Sequence, residues 1–518
     1  MSREKNISTE VQTEDPRNLG ELLEQRVAAA PDKPFIFSEA DGRRYTFAKF
    51  EQAVNRAACL LFDHGINRGD VISLLMPNSV EYVIAYFACF KLGALANPIN
   101  SLLKSREMKY VMSDSEAKVL LVHSEFRPQI ESVRDELPNL RTVIEFDDET
   151  QATEGVSSAH EGLPVGKINP DDDAILIYTS GTTGRPKGCL LTHRNLIANA
   201  RQITNWLKFT ERDRLLTMMP LFHMNAVSVT TMTPLYAGAS TVVSPKFSAS
   251  KFWQIISDYG ITSFGSVATM LSMLLATYPE GVPAGLTTSQ LRFAMCGSAP
   301  VPAEVLRRFE ERFDCLVIEG YGLSESTCRS TFNPPNENRR LGSCGQPIGN
   351  EMKIVDEDGN EVPDGTSGEI LLRGENILKG YYKNGEANDR AFREGWFHTG
   401  DIGYRDMEGF YFIIDRKSDM IIRAGENIYP REIDEVLYTH PAIAAAAVIG
   451  VPDDLYGEEV AAFVVLKEGA NATQEEILSF CRVHLADYKC PKSVRFVADI
   501  PKGPTGKLLK RELARLYC

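Results

Sequence analysis

The chain has 518 residues, 43% of them hydrophobic, with 56 Lys and Arg against 70 Asp and Glu and a formal net charge of −14. Such a length and apolar content support a large core and more than one domain. The acidic balance leaves no electrostatic footprint for nucleic acid or an anionic membrane surface, so bulk charge points to a small-molecule partner.

Met1 to Arg17 is charged and polar, lacks the apolar centre of a signal peptide, and reads as a flexible tail. No apolar run approaches the ~18 residues that a membrane span needs. The 10 cysteines are scattered, with no C-x-x-C and no zinc spacing, as expected of reduced thiols in a cytoplasmic protein. From Leu19 helical stretches alternate with short apolar runs, Val71 to Met76, Ala94 to Ile99, Lys118 to His123 and Thr142 to Phe146. That alternation is the signature of parallel sheets covered by helices. Ser79 to Leu92 is apolar except for Glu81 and Lys91 and is closed by Gly93, so a buried helix is expected there. Asp147 to Asp171 is polar and reads as an exposed connection.

The connection leads into an apolar strand, Ala174 to Ile177, and then into Tyr178-Thr-Ser-Gly-Thr-Thr-Gly-Arg-Pro-Lys-Gly188. Gly181, Gly184 and Gly188 let the backbone bring its N–H groups close to an anion. Thr179, Ser180, Thr182 and Thr183 add hydroxyls, and Arg185 and Lys187 add positive charge. The stretch reads as a phosphate loop. It is not the Walker loop, because that spacing counted from Gly181 requires glycine where Pro186 stands.

After the loop, Asn195 to Leu207 has helical character, and apolar runs at Leu215 to Met219, Thr241 to Ser244, Phe264 to Val267, Leu291 to Cys296 and Leu316 to Ile318 continue a doubly wound pattern to about residue 322. From Gly342 to Ile414 short strands with turn signals such as Asp358-Gly359 indicate a β-rich subdomain. Asp415 to Asp419 then breaks the apolar runs. Pro430 starts a helix with Ile433, Val436 and Leu437 on one face, Ala444 to Val451 and Val460 to Leu466 read as strands, and Thr473 with Glu476 forms a capping box. The expected fold is α/β. A large N-terminal domain (18–416) of doubly wound subdomains and the β-rich subdomain is joined by a hinge (417–418) to a small mobile α+β domain (419–518).

Beside the phosphate loop stand Gly297-Ser-Ala-Pro300, Tyr321-Gly-Leu-Ser-Glu325, His398-Thr-Gly-Asp401 with Asp415-Arg416, and Pro504-Thr-Gly-Lys507. With these motifs in this order, nearly the whole chain from residue 19 resembles the adenylate-forming superfamily, which includes acyl- and aryl-CoA ligases, firefly luciferase and the adenylation domains of peptide synthetases. The resemblance implies ATP-dependent activation of a carboxylic acid to acyl-AMP with release of pyrophosphate, then transfer of the acyl group to coenzyme A. Because charge must be neutralised on both the reacting and the leaving phosphates, cationic and metal-binding groups have to supplement the loop.

Under that resemblance, Thr179, Ser180, Gly181, Thr182, Thr183 and Gly184 belong to the cofactor-binding loop, in which Thr182 and Thr183 with Lys187 hold the β- and γ-phosphates; Glu325 with Thr183 takes Mg²⁺, and the Ser324 hydroxyl meets the α-phosphate. Gly297, Ser298, Ala299 and Pro300 with Glu319, Gly320 and Tyr321 form the adenine slot, and Asp401 and Arg416 bind the ribose hydroxyls. Lys507 bridges carboxylate and α-phosphate. Taken alone, Asp401 is also an ordinary turn residue, Asp415-Arg416 a solvated pair and Glu325 a helix-start charge. His223 matches a position that gates the acyl pocket, although a buried histidine satisfied by backbone explains it too.

Gly425 and Glu426 resemble the loop that lines a pantetheine tunnel, and Tyr488 to Lys492 the place where the nucleotide end of CoA is met, Cys490 departing from the basic residue of some members. A residue such as luciferase's oxidative lysine falls at about Ile422, and Phe222-His223 replaces the F-D of amino-acid-specific domains. Neither light emission nor an α-amino acid is expected. Met224 to Val229, Phe264 to Met270 and Met295 to Gly297 are candidate pocket walls for an aliphatic or aromatic tail. Segments such as Phe247 to Trp253 resemble carnitine/crotonobetaine- and fatty acyl-CoA ligases. Arg329 is either a contact for a polar or charged tail group or a structural arginine. The alternatives are an acyl-AMP ligase loading a carrier protein, an aryl-CoA ligase, or a non-catalytic nucleotide-binding protein; a homodimer is also allowed.

Overall fold

The structure, a computed structural model, describes residues 16–158, 163, 167–179, 186–297, 303–423, 426–453, 455–502 and 508–517. Two seven-stranded sheets form the body. The first runs in the order Leu316–Glu319, Phe293–Cys296, Ser263–Ser266, Arg214–Thr217, Ser240–Val243, Pro34–Ser38 and Arg44–Thr46, parallel throughout except at its last strand. The apolar runs of the sequence supply it because a strand covered by helices on both faces needs no polar alternation. Ser240–Val243, Ser263–Ser266 and Phe293–Cys296 are buried at every position.

The second sheet is parallel from Thr142–Glu145 through Val119–Val122, Val71–Leu75 and Leu95–Pro98 to Asp173–Thr179. Its direction then reverses: Lys187–Thr192 and Gly380–Tyr381 add as antiparallel strands. The phosphate-loop sequence therefore closes a hairpin. Thr192 caps the helix His193–Leu207 that follows, its hydroxyl accepting from Asn195 N–H while the Asn195 amide oxygen accepts from Thr192 N–H.

The helix Val80–Leu92 is buried at all of its positions, with Ser79 accepting from Tyr82 N–H at one end and Gly93 left-handed at φ 65° at the other. A cation so deep needs counter-charge, and Lys91 Nζ lies 2.9 Å from Glu51 and 3.4 Å from Glu24. The connection Asp147 to Asp171 departs from the expected exposed loop. It contains the short helix Glu149–Ala152, and Glu149 is fully buried against the Arg56 fork at 2.8 and 2.9 Å. The partner is too distant in sequence to mark this carboxylate as internal.

The β-rich subdomain is one antiparallel sheet of Glu351–Val355, Gly368–Arg373, Trp396–Arg405 and Phe392–Arg393, with Tyr411–Arg416 paired to Trp396–Arg405. After the turn at 417–419, Pro430 opens the helix Pro430–Thr439, which buries Ile433 and Leu437. The Thr473–Glu476 capping box starts Gln474–His484. Strands Ile443–Asp453 and Gly457–Leu466 pair along their length. Apolar packing falls into separate clusters, the largest drawn from residues 19–411 and two others from residues 421–513. All nine described cysteines are free, and no described helix is long and apolar enough to cross a membrane.

Candidate active site

Sheet register creates the first cluster. Asp401 on Trp396–Arg405 stands opposite Arg416 on Tyr411–Arg416, and Arg416 Nε reaches Asp401 Oδ1 at 2.9 Å. Tyr321, just beyond the carboxyl end of Leu316–Glu319, donates its phenolic hydrogen to Asp401 Oδ2 at 2.6 Å. Asp401 is only 3% exposed. It is not a free turn residue. Burial first, and the adjacent carboxylate second, push the Tyr321 hydroxyl well above its ordinary pKa, so it remains a donor. Attraction to Asp401 raises Arg416 further.

The second cluster lies beside it, for Glu325 also acts on the Arg416 charge. Glu325 sits in the single turn Ser324–Ser326, whose entry is fixed by Leu323 N–H donating to Ser326 Oγ at 3.0 Å. Its carbonyl accepts from Leu378 N–H at 2.8 Å, and its Oε1 accepts from Tyr381 Oη at 3.1 Å. Lys187, the first residue of its strand, places Nζ 5.2 Å from the centroid of the same Tyr381 ring. Tyr381 is a site residue that sequence reasoning missed. Its sole signal was a Gly-Tyr-Tyr turn far from Glu325, with no periodicity to mark it. The described residues contain no group of three or more His, Cys, Asp or Glu side chains able to hold a metal. A lone carboxylate fits Mg²⁺ when phosphate oxygens complete the shell.

The third wall joins the ends of two parallel strands, the position where open α/β sheets bind ligands. Gly297 follows Phe293–Cys296 and Gly320 follows Leu316–Glu319. Both need to be glycine: a Cβ on Gly297 would stand 2.4 Å from Arg329 Nη1 and 2.6 Å from the Gly320 carbonyl, and one on Gly320 would stand 2.5 Å from Phe332 Cδ1. Arg329 is 1% exposed. Its backbone is pinned by Asn199, which accepts from Arg329 N–H at 3.3 Å and donates to its carbonyl at 2.7 Å. Asn199 also accepts from Ser228 Oγ at 2.9 Å, tying this wall to the π-helix Asn225–Met232. The candidate wall Met224 to Val229 falls mostly in this wide helix, where Thr230 and Thr231 hydroxyls satisfy the Ala226 carbonyl at 3.1 and 2.9 Å. His223 is half-buried against Phe222, its ring 4.6 Å away, and desolvation lowers its pKa to about 4. It is a neutral imidazole, and its Nε2 has no partner among the described residues.

Other candidates sit apart from these walls. Glu319 is buried, but its carboxyl turns to Gly342 N–H at 3.2 Å; burial raises it to about 8 against the opposing pull of that bond, Arg431 and Arg339. Thr179 contacts Cys189 Sγ at 3.8 Å. Glu426 and Lys492 are exposed. Ser180, Gly181, Thr182, Thr183, Gly184, Arg185, Ser298, Ala299, Pro300, Gly425 and Lys507 lie outside the described residues.

Residues 23–382 match the model of the AMP-binding enzyme family, and residues 432–507 that of the AMP-binding enzyme C-terminal domain. The chain is 36% identical to the sulfoacetate–CoA ligase of Cupriavidus necator, over 98% of this chain and 99% of that protein. It is likewise 36% identical to the oxalate–CoA ligase of Arabidopsis thaliana, over 97% and 99%. Among solved structures, ATP-bound MatB from Rhodopseudomonas palustris superposes with a TM-score of 0.90 at 31% identity, covering 96% of this chain and 99% of that one. MenE from Bacillus subtilis in complex with its acyl-adenylate intermediate gives 0.85 at 32% identity, covering 95% and 97%.

Proposed function

The chain belongs to the AMP-binding enzyme family, and on that premise we propose that the Tyr321–Asp401–Arg416 cluster seats the nucleoside while Lys187 and the adjoining loop hold the leaving phosphates. The enzyme is an AMP-forming acid–thiol ligase. A carboxylate oxygen attacks the α-phosphorus of ATP and pyrophosphate leaves. The CoA thiol sulfur then attacks the acyl carbonyl, its proton is lost, and AMP departs with the electrons of the broken C–O bond. What carries the assignment of roles is convergence: residues 187, 321, 325, 401 and 416, from separate motifs, meet around Tyr381 and Asp401.

The residues divide the work by chemistry. Asp401 offers acceptors for ribose hydroxyls and is oriented by the Tyr321 hydroxyl and the Arg416 guanidinium. Glu325, oriented by Tyr381, would hold Mg²⁺ with Thr183 and phosphate oxygens, and the ion would neutralise charge on the triphosphate. Ser324 supplies a hydroxyl for the α-phosphate, and Gly297 to Pro300 with Gly320 flank the adenine. Lys507 supplies the positive charge that the α-phosphate gains in the first step.

The domain division 18–416, hinge 417–418 and 419–518 is supported by the separation of the apolar clusters and by exposed Ser418 in the intervening turn. Lys507 and Gly425 both lie on the small domain and serve consecutive steps, so that domain turns between them, Gly425 and Glu426 lining the thiol's path and Lys492 meeting the CoA nucleotide. The nine described cysteines are free, which suits the cytoplasm. The test is a pyrophosphate-release screen over a panel of carboxylic acids, with and without CoA. At least one acid is expected to release pyrophosphate and to form a thioester only when CoA is present; no release with any acid would sink the reading.

A further inference from the structure

Arg329 is a buried cation whose donors have not been met. A guanidinium carries five N–H donors and cannot shed its charge. Here Nη1 makes one long bond, 3.4 Å to the Gly320 carbonyl, while Nε and Nη2 are buried without a hydrogen-bond partner among the described residues. No carboxylate pairs with the guanidinium among the described residues; the remaining help is the Phe332 ring, with its centroid 5.3 Å from the guanidinium carbon. Nature tolerates a buried charge when something pairs with it. The side chain has no freedom to escape to solvent, because its backbone is fixed by Asn199, and by Asn376 Nδ2 donating to the Arg329 carbonyl at 3.2 Å.

Position says what the missing partner is. The guanidinium presses on Gly297 and Gly320, at the carboxyl ends of two neighbouring parallel strands, and Gly320 directly precedes Tyr321 of the nucleoside cluster. An anion bound there would lie beside the strand ends that carry the nucleoside cluster. We propose that Arg329 is a specificity-determining residue that receives a second oxyanion on the acid substrate, making the preferred substrates short acids with a carboxylate or sulfonate at the far end. Planar Nε and Nη2 form the fork that takes two oxygens of such a group at once. This inference rests on the ligase reading above and narrows its substrate class.

The experiment measures kcat/KM for pyrophosphate release with malonate, succinate and sulfoacetate against propanoate and butanoate, in wild type, Arg329→Met and Arg329→Lys. Wild type should favour at least one dianion over the monoanions by about a hundredfold, since a site built for a charged group rejects its absence. Carboxylate or sulfonate as the preferred group is read from malonate against sulfoacetate. Arg329→Met should bring the ratio to near one by losing the dianions while retaining the monoanions; Arg329→Lys should keep the charge but lose the fork and fall between. If Arg329→Met does not fold, Arg329→Lys decides through the same ratio. Wild-type turnover of monoanions equal to that of dianions would overturn the inference and leave the ligase reading standing. So would equal loss of both classes in either variant, which would place Arg329 at the reacting end. Silence toward every acid would overturn both.

Discussion

Asp401 and Arg329 are both charged and both almost fully buried, yet their surroundings differ. Asp401 accepts from Tyr321 and pairs with Arg416 across a sheet register, so its geometry exists before any ligand arrives. Arg329 has its backbone locked and its guanidinium left wanting, and His223 also keeps an unpartnered ring nitrogen among the described residues. A satisfied buried network specifies one arrangement, whereas an unsatisfied buried group stores a binding demand. On the proposed roles, the difference separates the part of the site that handles a constant nucleotide from the part that meets the acid.

The comparison can be broken most severely from outside the two walls. Arg416 is committed to Asp401, and on the roles proposed above the extra charge for the α-phosphate is assigned to Lys507. Lys507→Ala should slow adenylate formation by about a hundredfold or more, ~3 kcal/mol, while sparing thioester formation from supplied acyl-AMP. Equal loss in both half-reactions, measured separately, would remove the lysine from its role. Next in size, Asp401→Ala leaves the Tyr321 hydroxyl and the Arg416 guanidinium facing each other without their shared acceptor. With Arg416 partly solvated, a loss of about 3 kcal/mol in unfolding free energy is expected, together with a raised KM for ATP. An unchanged denaturation midpoint would mean that the network is not preorganised.

The most gradual effect, spread over several pH units, lies at the seam, on Glu319, one residue before Gly320. Its pKa is raised by burial from the ordinary 4.5 to about 8, so between those values the folded chain holds a proton that the unfolded chain has released. Its contribution is therefore fully present below pH 4.5 and is lost as pH rises to about 8, with a slope on the order of 1 kcal/mol per pH unit at most. Glu319→Gln should flatten that part of the melting-temperature profile. Parallel profiles for wild type and variant would show that the carboxyl is ionised in the fold.

Elements set by local chemistry were legible from sequence. Ser79 and Gly93 delimit a buried helix because a cap and a left-handed stop are properties of neighbouring residues, and Thr473 with Glu476 caps for the same reason. The glycines at 297 and 320 were readable as motif members, but the reason they are glycine, an arginine and a phenylalanine packed on them, lies in tertiary contact. The Asp401–Arg416 register, the Tyr381–Glu325 bond and the burial of Glu149 and Arg329 depend on partners brought together only by the fold. The π-helix was illegible too, since its apolar and threonine-rich sequence suits an ordinary helix equally well.

Arg431 gives the reaction a rhythm. It begins a helix of the small domain, yet its backbone N–H donates to Asp415 Oδ2 at 2.9 Å and its Nη1 to the Ile413 carbonyl at 2.5 Å, both on the last strand before the turn. If the small domain turns between half-reactions, these two bonds break and re-form once per catalytic cycle. At roughly 1 kcal/mol each they tilt the resting population about thirtyfold toward the orientation described here. The enzyme would then spend most of its idle time parked in one pose, and the dwell in the other would shorten or lengthen with the strength of a latch that touches neither substrate.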